Sequence, residues 1–164
     1  MSDVTTYCYL DKMKRTGNQT QWAGQFGVAH KLTRRGYLVS FTLGNAPAVD
    51  LLCISPKGYE FSIQVKSLKS KGYFPYQKSL LEIDPDLYFV FVLIPPITRK
   101  THVLPVEYFV LNNEQLRTLV EEENQRQKEE ERKRGRPYAD FPPSMYYQTL
   151  SRGEFLNAWH YLPQ

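Results

Sequence analysis

The chain has 164 residues, of which 41% are hydrophobic, and a net charge of +4 at neutral pH. This length and apolar content are enough for one hydrophobic core, so residues 1–164 are expected to form a single domain. No stretch approaches the roughly 20 apolar residues of a membrane-spanning helix, and the first residues lack the charged-then-apolar order of a signal peptide. The chain is therefore predicted to be cytoplasmic.

The two cysteines, Cys8 and Cys53, belong to no CxxC motif and have no histidine at metal-ligand spacing. Neither a disulfide framework nor a zinc site is indicated. Cys53 lies within the apolar run AVDLLCI and is expected to pack in the core.

The positive charge is unevenly distributed. Between positions 113 and 136, seven acidic and seven basic residues cancel, so the excess lies elsewhere in the chain. An excess of this size fits a nucleic-acid partner but is also common in proteins that bind none. Because charge runs are most often solvated, the segment after Val120 is predicted to be a solvated helix end with i,i+4 ion pairs. The alternative is an arm that binds a partner protein.

The first predicted helix follows a polar leader and is capped by Asn18 or Thr20. It runs to about Arg35, where Gly36 is placed to end it. Apolar residues at spacings of three and four define its expected buried face: Trp22, Phe26, Ala29 and Leu32.

Three strands are expected after this helix, over residues 37–43, about 48–54 and about 59–67. The turn signal Pro56-Lys57-Gly58 separates the second strand from the third. Because so short a turn joins them, these two strands are expected to be antiparallel neighbours. In the third strand, Phe61, Ile63 and Val65 alternate with Glu60, Ser62, Gln64 and Lys66.

The second half of the chain predicts a short helix over residues 76–83 and then a continuous apolar strand over residues 87–94. Such a run is typical of a strand covered on both faces, so it is expected at the centre of the sheet. A further strand includes residues 108–111, and a charged helix spans about 113–134, capped by Asn112 or Asn113. After a proline-rich connector, a C-terminal helix over about 153–162 is expected to dock Phe155, Trp159 and Leu162 on the core.

Three polar residues on neighbouring strands suggest a reaction centre. Gln64 and Lys66 share one face of the third strand, and Asp50 lies on the preceding antiparallel strand, so an acid, an amide oxygen and an amine can converge. Phosphodiester hydrolysis uses a hard divalent cation to neutralise the scissile phosphate and to lower the pKa of the attacking water. Mg²⁺ prefers oxygen ligands, and a nearby lysine can orient the water or stabilise the developing charge.

At these residues the chain resembles the PD-(D/E)XK nuclease superfamily, which has the restriction-endonuclease-like fold. PAVDLL followed by FSIQVKS resembles its P-D…(D/E/Q)-x-K signature, and WAGQFGVAHKLTRRGYLVS resembles its first helix. The resemblance covers roughly residues 19–93. It implies an α/β fold with an αβββαβ core over about residues 18–111, a central mixed sheet flanked by helices, and extra C-terminal helices.

The resemblance also implies an activity, that of a DNA endonuclease dependent on Mg²⁺ or Mn²⁺. Asp50 would be the main metal ligand, Gln64 and the Val65 backbone carbonyl further ligands, and Lys66 the catalytic lysine. Since many members act as dimers on duplexes, the resemblance leaves a homodimer open.

Two departures from the family pattern concern the metal. Gln25 stands where many relatives have a glutamate on the first helix, and Gln64 stands where most have glutamate before x-Lys. Each lost carboxylate removes several kcal/mol of attraction for a divalent ion, at an effective dielectric of about 20. The alternative function is therefore a catalytically degenerate nuclease fold that binds nucleic acid or protein. Gln25 is a further candidate metal-site residue or a surface residue, and flanking glycines favour the first interpretation.

Basic and aromatic residues are interleaved in two segments that are candidates for nucleic-acid binding. Basic side chains neutralise phosphates, and aromatic rings stack on unpaired bases. Equally, the aromatic residues could close the core beneath a loop. The candidate residues are Lys31, Arg34, Arg35, Lys69, Lys71, Tyr73 and Lys78.

Overall fold

The computed structural model describes residues 15–43, 49–77, 79, 81, 85–97, 104–137 and 142–164. Over these residues the chain is an α/β fold with a five-stranded mixed sheet, a two-stranded sheet and three α-helices. The helices are α1 (Gly17–Thr33), α2 (Asn113–Arg134) and α3 (Tyr147–Arg152). The strands are β1 (Leu38–Phe41), β2 (Leu51–Ile54), β3 (Glu60–Leu68), β4 (Tyr73–Pro75), β5 (Leu87–Leu93), β6 (Glu107–Leu111) and β7 (Ser144–Tyr146).

The larger sheet has the strand order β1-β2-β3-β5-β6, and β4 pairs with β7 in the smaller one. β2 is antiparallel to both β1 and β3, as the short turn predicts. β3 pairs with β5 in parallel, and β5 pairs with β6 antiparallel, so the sheet is mixed. The apolar run over residues 87–94 is confirmed as an interior strand buried on both faces, although β3 takes the middle position.

The larger sheet separates two hydrophobic cores. One core joins α1 and the C-terminal residues to the sheet through side chains such as Val28, Val65 and Trp159. The other joins α2 and the small sheet to the opposite face through side chains such as Phe91 and Leu116. Cys53 packs in the first core, as expected from the sequence.

Helix α1 begins earlier than the sequence predicts. Its cap is Thr16, whose side chain accepts a hydrogen bond from the Gln19 backbone N–H, while the Gln19 side chain accepts one from the Thr16 N–H. This capping box satisfies two N–H groups that would otherwise lack partners, so the predicted caps Asn18 and Thr20 are wrong. The helix ends at Thr33, two residues before the predicted Arg35. Gly36 follows with a φ of 87°, a conformation that glycine adopts easily.

The predicted apolar face of α1 is confirmed at Leu32, which is buried, but is wrong for Trp22 and Phe26. Trp22 and Phe26 are 40% and 56% exposed. A Cβ added at Gly24 would lie 1.8 Å from Oγ of Ser67, so the backbone of α1 rests directly on β3. This close approach selects the glycine face of the helix and turns the two aromatic residues outward. The buried residues of α1 are Thr20, Gly24, Gln25, Val28 and Leu32.

The expected C-terminal helix over residues 153–162 is wrong. Helix α3 lies earlier, and after it only a 3₁₀ turn forms, at Trp159–Tyr161. The intervening backbone is hydrogen-bonded to β6, because the Phe155 carbonyl accepts from the Val110 N–H and the Asn157 N–H donates to the Tyr108 carbonyl. The expected docking is confirmed for two anchors, since Trp159 and Leu162 are buried and Phe155 is partly buried.

Helix α2 has the predicted bounds and is capped by Asn112. Its buried residues are confined to the first two turns, and Arg126 forms ion pairs with Glu123 and Glu130 on the later, mostly exposed turns. No helix in the described ranges combines the length and apolar character needed to cross a membrane. The short helix predicted over residues 76–83 includes positions 78, 80, 82 and 83, which lie outside the described residues.

Candidate active site

Asp50 lies where the chain enters β2, and its backbone is fixed on both sides. Its N–H donates to the Ile63 carbonyl over 3.0 Å, and its carbonyl accepts from the Thr42 N–H over 3.2 Å. Its side chain continues the hydrogen bonding between β2 and β3, because Oδ2 accepts from the Val65 backbone N–H over 2.7 Å. The carboxylate therefore stands in for the next backbone acceptor and is held beside β3.

Gln25 reaches the same carboxylate from helix α1. Its Nε2 donates to Oδ1 of Asp50 over 2.6 Å, and the side chain is only 6% exposed. The neighbouring Gly24 permits this contact, since its missing side chain lets α1 lie against β3. Gln25 therefore contacts Asp50 and is not a surface residue, in agreement with the close approach that Gly24 and Gly27 indicate in the sequence.

The surroundings of Asp50 act on its ionisation in opposite directions. Burial raises the pKa of the Asp50 carboxyl above its ordinary value, whereas the Val65 N–H and the Lys66 ammonium lower that pKa. The effect of Lys66 means that its charge lies near the carboxylate. A partly desolvated carboxylate with a positive charge in its surroundings makes Asp50 a candidate for a reaction centre, although structural ion-pair networks shift pKa values in the same way.

Gln64 and Lys66 lie on the face of the sheet that carries Phe89 and Phe91 and faces the core of α2, whereas α1 packs on the opposite face. The register places Gln64 beside Phe89 and Lys66 beside Phe91, and Asp50 precedes Leu51, which pairs with Ile63. Gln64 is only 3% exposed and Lys66 is half-buried. The alternation in the sequence is confirmed for the two faces. The polar face is exposed at Glu60 and becomes buried at Gln64, where β3 has a strand on each side and a core on both faces.

The oxygen atoms at the site suit a hard cation. Since the N–H and C=O of a strand residue point to the same side, the Val65 carbonyl faces the side on which Asp50 Oδ2 lies. The Asp50 carboxylate, the Val65 carbonyl and the Gln64 amide oxygen are ligand types that Mg²⁺ and Mn²⁺ accept. Among the described residues no group of three or more His, Cys, Asp or Glu side chains could hold a metal ion. One carboxylate can suffice where waters and a substrate phosphate complete the coordination sphere.

Two of the basic residues predicted to bind nucleic acid contact core aromatic rings. The Lys31 ammonium lies 5.6 Å from the Tyr108 ring centre, and the Arg35 guanidinium lies 5.0 Å from that of Trp159. These contacts fix the C-terminal end of α1 to the core. Arg34 is exposed and makes no such contact with a described residue.

The other predicted nucleic-acid contacts lie in the loop after β3 and in β4. The Lys71 ammonium lies 4.9 Å from the Tyr147 ring centre, and Tyr73, 63% exposed, stacks on Tyr146 with ring centres 4.6 Å apart. Lys69 is exposed in the same loop, three residues beyond Lys66. Lys78 lies outside the described residues.

An aromatic cluster beside Gln25 was not predicted as part of the site. Trp22 stacks on Phe26 with ring centres 5.6 Å apart, and Phe26 meets Phe41 of β1 at 5.3 Å. The sequence carried a signal, because glycines at 24 and 27 mark the face of α1 that contacts the sheet and so place these two aromatic residues outside it.

Two open clefts of about 450 and 550 Å³ lie along α2, lined by residues such as Val120, Glu121 and Asn112. Neither is lined by Asp50. The candidate site lies at the start of β2, where Asp50 contacts both α1 and β3. Comparison of the chain with protein-family models, with curated proteins and with solved structures gives no match.

Proposed function

We propose that the protein is a metal-dependent nuclease with a restriction-endonuclease-like core, and that it hydrolyses phosphodiester bonds of DNA at Asp50, Gln64 and Lys66. The fold supports this through the order of α1, β1, β2 and β3, the antiparallel pairing of β2 with β3, and the parallel pairing of β3 with β5. The observation that carries the proposal is the Asp50 carboxylate, held by the Val65 N–H with the Lys66 charge nearby.

In this mechanism each residue has a defined task. Mg²⁺ or Mn²⁺, when bound, would neutralise the scissile phosphate and lower the pKa of the attacking water. Asp50, the Val65 carbonyl and the Gln64 amide oxygen would hold the cation. The Lys66 ammonium would stabilise negative charge on the phosphate as the bond to the leaving oxygen breaks. The half-burial of Lys66 strengthens that interaction, because screening by water is reduced.

A second candidate function is supported by the contact between Gln25 and Asp50. The Gln25 N–H group donates where a glutamate would place a second negative charge, so the site holds one carboxylate. Attraction for a divalent cation is correspondingly smaller. A protein with this site could bind nucleic acid without cutting it.

Cleavage assays with matched variants separate the two functions. Purified protein is incubated with supercoiled plasmid or single-stranded circular DNA in Mg²⁺, in Mn²⁺ and in EDTA. Nuclease activity predicts metal-dependent nicking or cleavage that is lost in Asp50→Asn and in Lys66→Gln. Lys57→Gln is the charge-matched control, since Lys57 is exposed in the turn between β2 and β3. DNA binding that falls steeply with salt but yields no cut product would select the second function.

A further inference from the structure

The Trp22, Phe26 and Phe41 side chains form an ordered aromatic cluster, the aromatic platform, on the outside of the molecule. The rings of Trp22 and Phe26 are nearly parallel, with an interplanar angle of 26°, and Phe41 supports Phe26 at 61°. Phe41 is anchored against the core, while Trp22 and Phe26 keep 40% and 56% of their surface exposed. Burial in the core therefore does not account for the two outer rings.

The platform directly adjoins the candidate site along two elements. On α1, Phe26 follows Gln25, which donates to Asp50, and Trp22 lies three positions before it. On β1, Phe41 pairs with Leu51, the neighbour of Asp50. A polymer whose phosphate lies at Asp50 would therefore bring an adjoining residue over these rings.

The charge around the platform suits a polyanion. Helix α1 contains no acidic residue along its whole length, and neither does β1. Leu38, the one leucine of the edge strand β1, is exposed, alternates with Val39 and Phe41, and so lies on the other face of the sheet. The platform is thus limited to three rings, closer to the size of one or two bases than to the roughly 800 Å² per partner of a standard protein interface.

From this juxtaposition we propose that the aromatic platform stacks on unpaired bases, so that the preferred ligand of the site is single-stranded DNA or a locally opened duplex. The inference rests on the proposed function for its choice of a nucleic-acid ligand. Stacking requires a free base face, which a closed duplex does not offer, and it tolerates any base sequence because every base has such a face.

Tryptophan fluorescence tests the inference without requiring cleavage. The chain has two tryptophans, and Trp159 is only 6% exposed, so quenching by added DNA reports mainly on Trp22. The Asp50→Asn protein in EDTA is titrated with a thymidine oligonucleotide and with a duplex of equal length. Quenching by the single strand at concentrations well below those needed for the duplex is expected. Equal quenching by both ligands, or none by either, would overturn the inference.

Variants of the platform supply the second arm. Phe26→Leu is expected to weaken single-strand binding roughly 5- to 150-fold, the range for loss of one stacked base, whereas Phe26→Tyr should retain it. Tyr59→Leu removes an exposed aromatic residue from the turn between β2 and β3 and should leave the affinity for single-stranded DNA unchanged.

Sedimentation of wild type and Trp22→Leu tests whether a second copy of the chain, and not DNA, covers the platform. A dimer that dissociates in the variant, with unchanged DNA affinity, would assign the platform to a second copy of the chain.

The binding assay distinguishes this inference from the proposed nuclease activity. Binding that depends on the platform, without cleavage in any metal, would reject the nuclease and retain the platform. Cleavage of duplex DNA that is unaffected by Phe26→Leu would retain the nuclease activity and reject the role of the platform in binding.

Discussion

The Gln25 amide donates a 2.6 Å hydrogen bond to Oδ1 of Asp50 and so links helix α1 to the start of strand β2. A neutral donor at this position removes the repulsion that a second carboxylate would cause, and it also removes part of the attraction for a cation. We therefore expect the identity of residue 25 to set how strongly a divalent cation would bind at the proposed site.

Gln25→Glu is expected to make the protein depend on a divalent cation for stability. Without metal, two carboxyl groups within hydrogen-bond distance cannot both be ionised, so one pKa rises and the folded state is destabilised at neutral pH. Mg²⁺ or Mn²⁺ would relieve this repulsion and stabilise the folded state by mass action. Thermal melting with and without millimolar metal measures the effect, and the variant should gain more than wild type.

The control for this experiment is Gln21→Glu. Gln21 is exposed one turn earlier on α1, so the variant adds the same charge to the same helix. Its melting temperature should respond to metal as wild type does. An equal response of both glutamate variants would mean that the cation acts on the general charge of the helix and does not bind at Asp50.

Asp50→Asn is expected to alter the pH dependence of stability while preserving the local structure. The Asn oxygen can accept from the Val65 N–H, and the Asn amide can donate to Gln25 if the Gln25 amide turns over. Because burial holds the pKa of Asp50 above its ordinary value of 3.8, the folded state retains, at pH values between 3.8 and the folded pKa, a proton that the unfolded state has lost. Stability from this group is therefore complete below pH 3.8 and is lost as pH rises through the folded pKa.

Urea unfolding of both proteins between about pH 3.5 and 7 tests that sign. The difference in unfolding free energy, variant minus wild type, should rise with pH above 3.8 and then level off. A difference that falls with pH would mean that the Val65 hydrogen bond and the Lys66 charge outweigh burial. All other titrating groups are common to both proteins and cancel in the difference.

Gly24→Ala is expected to destabilise the protein by about 1–2 kcal/mol, even though alanine favours helix by up to ~1 kcal/mol. The new Cβ would lie 1.8 Å from Oγ of Ser67 and 3.0 Å from its Cβ. The helix would have to move away from β3, and Gln25 would move with it. Chemical denaturation measures the loss.

Ser67→Ala should recover part of that loss in the double variant, because it removes the closer of the two contacts. Alone it should be neutral or stabilising by up to ~1 kcal/mol, since Oγ of Ser67 is buried and makes no hydrogen bond with a described residue. Gly17→Ala is the control, because no atom lies within 4 Å of its added Cβ. If Gly17→Ala lowers the unfolding free energy as much as Gly24→Ala does, the loss comes from the substitution within the helix and not from the contact with β3.

Cys53 is expected to react with a thiol reagent only after unfolding. Burial raises the pKa of its thiol to about 12, so the reactive thiolate is nearly absent at neutral pH. In a Cys8→Ser background Cys53 is the sole thiol of the chain. Labelling by iodoacetamide should therefore follow the urea unfolding curve. Rapid labelling in the native state would contradict the placement of Cys53 in the core.

The β-sheet was largely predictable because local signals specify it. The turn at Pro56-Lys57-Gly58 fixes the antiparallel pairing of β2 and β3, and the apolar residues 87–94 require cover on both faces. The residues of the candidate site were predictable from the same strands, since alternation along β3 places Gln64 and Lys66 together. The burial of Gln64 and Lys66 was not predictable, because it depends on the cores that other segments of the chain form against each face of the sheet.

The errors concern elements whose position is set by distant contacts. The hydrophobic pattern of α1 indicated Trp22 and Phe26 as its buried face, but the approach of Gly24 to Ser67 determines the rotation of the helix. At the C-terminus, hydrogen bonds from Phe155 and Asn157 to β6 override a local helical pattern. Neither contact can be read from a short window of sequence. The pairing of β4 with β7, about 70 residues apart, was missed for the same reason.

The two halves of helix α2 are expected to differ sharply in their contribution to stability. Leu116 is fully buried against the sheet, so Leu116→Ala should lower the unfolding free energy by about 2–5 kcal/mol. Arg126, although paired with Glu123 and Glu130, is exposed, and Arg126→Ala should cost less than about 1 kcal/mol. Native-state amide exchange should likewise be slower in the turns around Leu116 than beyond Val120. Comparable protection along the whole helix would require a partner for the charged half, and a complex that forms only with the intact helix would then identify it as a protein-binding arm.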